Sequence, residues 1–241
     1  MESTAVEHCQ QFLDILRVER RLSANTLKAY QRDLAQLQQF CDRSDIEAWA
    51  DLSPQQLRQF IAQRHKQGLA SRSLQRELSA CRSLFNYLVN IKVLKNNPAA
   101  AIRAPKAAKK LPYVLDVDQM AVLLDTSAED PLEVRDLAMW ELLYSSGLRI
   151  SELASVNLMD MDFSASNIQV VNGKGGRSRL LPLGGKAIEA IRAWLLLRDE
   201  FVKDDEMALF VAKTGSRLST RSIQLRLERW RKRQGIQGRL H

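Results

Sequence analysis

An arginine and a lysine 25 residues apart carry the chemistry this sequence offers. Gly147-Leu148-Arg149-Ile150-Ser151-Glu152-Leu153 puts Arg149 just past a helix end, where the chain turns between two helices. Asn172-Gly173-Lys174-Gly175-Gly176-Arg177 puts Lys174 at the tip of a glycine-rich hairpin. A guanidinium aimed by Glu152, three residues on, presents a planar fork to phosphate oxygens. A lysine inserted into a groove can donate a proton to a leaving alkoxide. Two fixed cations on one phosphate, with no metal-ligating residues close by in sequence, suit metal-free phosphoryl transfer on a nucleic-acid backbone. The plainer alternatives are a surface Arg–Glu pair, which contributes little, and a solvated loop lysine. A Walker A loop needs GxxxxGK followed by Ser or Thr, so no ATP site is expected, and neither metal nor organic cofactor is implied.

Several elements must position this pair. Ile168-Gln169-Val170-Val171 and Arg179-Leu180-Leu181-Pro182-Leu183 flank the glycine-rich turn as a hairpin. A helix over about 132–146 packs Leu137, Trp140, Leu143 and Tyr144, and Gly147 stops it. Asp116 can cap a shorter helix ending near Asp125. Further on, the pattern predicts a helix from Lys186 to Glu200 and a short strand at Leu209-Phe210-Val211. Ser219 caps a last helix through Arg233, closed by Gly235.

The first hundred residues read as helices. Val6, Cys9, Leu13 and Leu16 form one stripe, and Ser23 caps a second helix carrying Leu27, Tyr30, Leu34, Leu37 and Phe40. Ser53-Pro54 starts a third helix, which Gly68 ends. A fourth runs from about Ser71 to Asn90, with Leu74, Leu78, Cys81, Phe85 and Leu88 on its apolar face. Arg72, Gln75, Arg76, Ser79 and Ser83 share the opposite face, and Glu77 lies off it. That face is either a solvated surface or a helix in a DNA major groove. Residues 98–112 form a boundary with three prolines and Arg103, Lys106, Lys109 and Lys110. Such a basic linker can cross a phosphate backbone or serve as a tether. The organisation expected is a helical unit over 1–97, the linker over 98–112, and a mixed, mainly α unit with a small β-hairpin or sheet over 113–241.

Charge and cysteine usage narrow the class. The 241 residues carry a net charge of +8, which favours a polyanionic partner, with ribosome or membrane surfaces fitting the number as well. Residues 1–97 hold 14 basic against 10 acidic side chains, the linker adds four cations without an acid, and 113–241 balance at 18 each. Cys9, Cys41 and Cys81 are odd in number and lack histidines at metal-ligand spacing, so buried thiols in a reducing cytoplasm are expected. No apolar run is long enough for a membrane span, and the polar N-terminus is not a signal peptide.

Several segments together resemble the Xer group of tyrosine recombinases, within the phage integrase family. They are Phe12-Leu13, Glu19 to Ser23, Thr26-Leu27-Lys28-Ala29-Tyr30, Arg76 to Phe85, Asn97-Pro98, Pro105-Lys106, Arg135-Asp136, Gly147 to Leu153 and Gly173 to Arg177. In this order they cover essentially the whole chain. The resemblance implies a helical core-binding (SAM-like) domain followed by a catalytic domain, clamping a duplex from two sides. It implies a tyrosine that attacks the scissile phosphate, two arginines on the transition state, and a lysine that protonates the 5′ oxygen. Arg149 matches the first arginine, with Glu152 supporting it, and Lys174 matches the lysine. The family's His-x-x-Arg, His/Trp and Tyr positions have no counterpart, so the catalytic domain is expected to be incomplete, ending at His241, to which no role is carried. Tyr30, Tyr87, Tyr113 and Tyr144 read as core or interface residues, and His8 and His65 as surface residues. The implied partners are a double-stranded recombination site, the XerD paralogue in a cyclic heterotetramer, and a chromosome-segregation DNA translocase. The implied process is resolution of chromosome dimers and plasmid multimers, in the cytoplasm and tied to chromosome partition and cell division. Two rivals remain open: a phage or transposon integrase, and a non-catalytic DNA-binding fragment or decoy. A third reading, a helical scaffold, would show no salt-dependent DNA affinity.

Overall fold

Serine caps and a proline start open two of the helices of the first hundred residues in the computed structural model, which describes residues 1–18, 22–106, 117–171, 178–203 and 205–236. The chain divides into two compact units, Met1–Lys110 and Leu111–His241. In the first, α1 (Ser3–Val18) precedes α2 (Ala24–Arg43), where Ser23 Oγ accepts the Thr26 amide at 3.2 Å. At the start of α3 (Pro54–Lys66), Ser53 Oγ accepts the Gln56 amide while Gln56 Oε1 accepts the Ser53 amide, a reciprocal capping box. Gly68, at φ +84°, turns the chain into α4 (Ser71–Asn90).

The five apolar residues expected on α4 are all buried, against Leu34 and Leu37 of α2 and Leu57 and Phe60 of α3. On α1 the stripe is shifted. Ala5, Cys9, Phe12 and Leu16 are buried, whereas Val6 is 50% exposed. The 4-3-4 spacing of the buried set keeps one face inward, and Val6 lies about 100° away from Ala5. All three cysteines are buried, and burial pushes the Cys9 and Cys41 thiols up to about 12, so they pack as small apolar groups.

The start of the expected linker is folded. Ala99 and Ile102 are buried in the first core. Arg82 donates to the Ala99 carbonyl at 3.2 Å and to that of Ile102, while Asn97 Nδ2 donates back to the Arg82 carbonyl at 3.0 Å. This stretch belongs to the first unit rather than to a free tether, because two small apolar side chains and a guanidinium on its carbonyls satisfy it there.

The second unit holds α5 (Val117–Leu124), α6 (Pro131–Ser146), α7 (Ile150–Ser155), α8 (Gly185–Arg198) and α9 (Thr220–Arg233). Between α7 and α8 lies an antiparallel sheet in the order β1 (Met161–Asp162), β2 (Asn167–Val170), β3 (Arg179–Pro182). The predicted hairpin is therefore present with a third, two-residue strand added, too short for alternation to reveal. Its register pairs Ile168 with Leu181 and Val170 with Arg179. The strand expected at Leu209–Val211 is instead a buried segment that bends at Leu209 and Phe210 outside that sheet, flanked by isolated bridges between Asn157 and Ala208 and between Val211 and Arg217. Its carbonyls are satisfied outside a ladder: Trp194 Nε1 donates to Leu209 and Arg135 Nη1 to Val211, both at 2.8 Å, and the Leu218 amide to Phe210 at 3.0 Å. Tyr144, expected to pack with the face of α6, is 57% exposed on its last turn.

Candidate nucleic-acid interface

Gly147 ends α6 in the left-handed conformation at φ +63°, and its amide bonds the Leu143 carbonyl. Glycine enters that region without the Cβ penalty other residues meet. Two residues later Arg149 stands as the N-cap of α7, its backbone extended. Its amide donates to Glu152 Oε2 at 2.9 Å and its Nη1 to Oε1 at 2.8 Å. The same carboxylate accepts both terminal nitrogens of Arg179 on β3, Nη1 to Oε1 and Nη2 to Oε2, each at 2.9 Å. Glu152 is buried under these four bonds. The Arg179 hydrogen bonds chiefly, followed by those from the Arg149 amide and side chain, hold its carboxyl at about 2 against burial. A permanent anion here serves two arginines, so the cluster keeps one net positive charge. Arg149 stays 57% exposed, with Nε and Nη2 unpartnered among the described residues. That is a guanidinium fixed at one end and open at the other, the geometry expected of a phosphate ligand.

Arg179 is the residue that reading the sequence missed. Its signal was faint: a single cation opening an apolar strand, 27 positions from the carboxylate it binds. Lys174 lies outside the described residues, as do Lys109, Lys110, Tyr113 and His241. The paired strands on either side of residues 172–177 are described, and Arg179 ties them to the Glu152 that also holds Arg149.

Two of the tyrosines belong to the first core. Tyr87 packs against Phe12 in a tilted pair with ring centroids 5.7 Å apart and donates to Gln11, and Tyr30 is half-buried against the same cluster. His65 is exposed and His8 half-buried. No group of three or more metal-ligating side chains occurs among the described residues, and no described helix is long and apolar enough to cross a membrane.

On α4 the structure brings Arg72, Gln75, Arg76 and Ser79 to one exposed face, while Glu77 is fully buried and paired with Arg64 at 3.0 Å. The face is not free of acid, however. Asp33 of α2 lies against Arg76, an approach that α4's own periodicity could not reveal. Ser79 Oγ donates to the Gln75 carbonyl at 2.8 Å, and Gln75 reaches the Pro105 carbonyl at 3.4 Å. Arg72 and Lys106 are exposed and without a partner among the described residues.

A second cationic surface lies on α9, which carries six basic residues and one acid. Arg226 bonds the fully buried Asp136, which also accepts Arg135 Nη2 at 2.7 Å and Trp230 Nε1 at 3.0 Å. Arg233 binds Glu133, and Arg231 binds Glu228. Arg221, Arg229 and Lys232 are exposed and unpartnered among the described residues; they fall within about 80° of the helix wheel. The charge balance over 113–241 concealed them, because the acids that cancel them in the count sit elsewhere.

Residues 113–241 match the family model described as "Phage integrase family", and residues 9–92 match "Phage integrase, N-terminal SAM-like domain". Over 240 residues the chain is 40% identical to the tyrosine recombinase XerC of Actinobacillus pleuropneumoniae, covering 100% of this chain and 78% of that protein. It is 46% identical over 217 residues to XerC of Azotobacter vinelandii, covering 90% and 72%. Among solved structures, a lambda integrase tetramer bound to a Holliday junction shares the fold with a TM-score of 0.71 at 18% identity, covering 98% of this chain and 67% of that one.

Proposed function

The chain belongs to the phage integrase family of tyrosine recombinases, and from that premise we propose a site-specific recombinase of the XerC type that acts with a XerD paralogue in a cyclic heterotetramer. Its substrate on this reading is a duplex recombination site, its process the resolution of chromosome dimers and plasmid multimers, and a further partner a chromosome-segregation DNA translocase. The observation that carries the catalytic part is the Glu152 cluster. It fixes Arg149, the residue matching the family's first arginine, with two nitrogens open and a net positive charge retained. Arg149 then stabilises the pentacoordinate phosphate, and Lys174 protonates the departing 5′ oxygen. Arg72, Gln75, Arg76 and Ser79 contact the major groove, Lys106, Lys109 and Lys110 the adjoining backbone, and Arg221, Arg229 and Lys232 a further stretch of phosphates.

The nucleophile on this reading is none of the four tyrosines. Tyr30 and Tyr87 serve the first core, and neither Tyr113 nor Tyr144 matches the family's tyrosine position. Residues 1–241 alone therefore bind DNA without cutting it, which is also how a decoy that occupies half-sites would behave. A nicked suicide duplex separates the cases. Residues 1–241 should give no covalent adduct. The same residues extended by the C-terminal segment of an XerC relative should give one, which Arg149→Ala suppresses by about 10². An adduct formed by residues 1–241 alone would overturn the assignment of the nucleophile; an extended chain that binds but never reacts would favour the decoy.

A further inference from the structure

Arg76 and Asp33 meet across α4 and α2 from positions 43 residues apart. Arg76 Nε donates to Asp33 Oδ2 at 2.8 Å and Nη2 to Oδ1 at 2.9 Å. The carboxylate is buried, whereas the arginine side chain is 43% exposed, so the acid is anchored and the guanidinium's far edge reaches solvent. A guanidinium carries five N–H donors. The side-on pairing with Asp33 uses two of them, leaving both hydrogens of Nη1 and one of Nη2. Together these form the end-on fork, which matches two acceptors in one plane, such as O6 and N7 of guanine. Arg72, Gln75 and Ser79 are exposed on the same face.

We infer that Asp33 is a specificity-determining positioning residue: it holds the Arg76 fork in place to read a guanine edge in the major groove. The inference rests on the proposed placement of α4 against duplex DNA. Two physical consequences set it apart from a simple cationic contact. A free arginine loses rotamer freedom on binding, and here that freedom is already restricted in the folded protein. The Asp33–Arg76 pair is also neutral overall, so it adds little to the counterion-release attraction that every duplex shares, and its effect falls on base discrimination.

The test uses the whole chain and a pool of duplexes with a randomised centre. After selection and sequencing, affinities are measured for the selected duplex and for a scrambled duplex of the same length. Asp33→Asn removes a negative charge, so binding to the scrambled duplex should hold or strengthen. Binding to the selected duplex should weaken about tenfold, and the guanine preference should vanish at the position lost in Arg76→Ala. Arg76→Lys should lose the same preference despite keeping its charge, because an ammonium has no planar fork. Asp33→Asn combined with Arg76→Ala should discriminate no worse than Arg76→Ala alone. Wild-type discrimination in Asp33→Asn would overturn the inference, and so would a parallel loss of affinity for both duplexes, which marks a prop for the fold. Should Arg76→Ala keep the wild-type preference, or wild type show none, the placement of α4 as a reader of bases fails, and the role of Asp33 with it.

Discussion

Arg149, Glu152 and Arg179 make the catalytic reading depend on one carboxylate that stays ionised. A lone Glu152 would neutralise Arg149; a second arginine on the same oxygens leaves charge available for phosphate. The arrangement has a pH signature. Glu152 falls from its ordinary 4.5 to about 2 on folding, first through Arg179. A depressed carboxylate stabilises the fold fully above its unfolded value, and that stabilisation fades as pH falls through the folded one. The stability deficit of Glu152→Gln relative to wild type, read from urea unfolding, should therefore be constant from neutrality down to about pH 4.5 and shrink towards pH 2. A deficit that ignored pH over that range would mean the carboxylate's charge does not hold the two arginines.

At the scale of elements, the α6–α7 corner sets where Arg149 points. Gly147 adopts φ +63° with nothing within 4 Å of the position a Cβ would occupy, so Gly147→Ala meets conformational strain and no collision. It should cost about 1 kcal/mol of stability, measured by chemical denaturation, and should lower cleavage by the extended protein through displacement of Arg149. An unchanged denaturation midpoint would show that the corner adapts. Helix boundaries such as this one were readable in the sequence because caps act within a few residues: Ser23 on Thr26, Ser53 with Gln56, and Gly147 after Ser146. The segment at Leu209–Val211 reads as a strand because its run is apolar, whereas packing gives the Leu209 and Val211 carbonyls to side chains of α8 and α6.

Over the whole molecule, the net charge of +8 favours a polyanionic partner, and the structure says which charges are free to meet one. Arg72 is exposed and unpartnered among the described residues, whereas Arg76 is matched by Asp33. Arg72→Ala should therefore flatten the slope of log affinity against log salt by about 0.9, and Asp33→Asn combined with Arg76→Ala, which removes a neutral pair, should flatten it by clearly less. Equal changes in the two slopes, measured by fluorescence anisotropy on one duplex, would show that the Asp33 pairing does not persist on DNA.

Local order alone determined most of the helices, the caps at Ser23, Ser53 and Ser219, the apolar faces of α2 and α4, the hairpin stem and the motif around Arg149, because periodicity and capping act between residues one or two turns apart. The cap expected at Asp116 lies outside the described residues. Tertiary packing decided which cations remain available. Asp33 meets Arg76, Glu152 meets Arg179, and Asp136 meets Trp230 at separations of 43, 27 and 94 residues. No local pattern encodes those meetings. A charge's partner is fixed by which helices and strands pack side by side, and that follows from burying two apolar cores rather than from the spacing of the charges themselves.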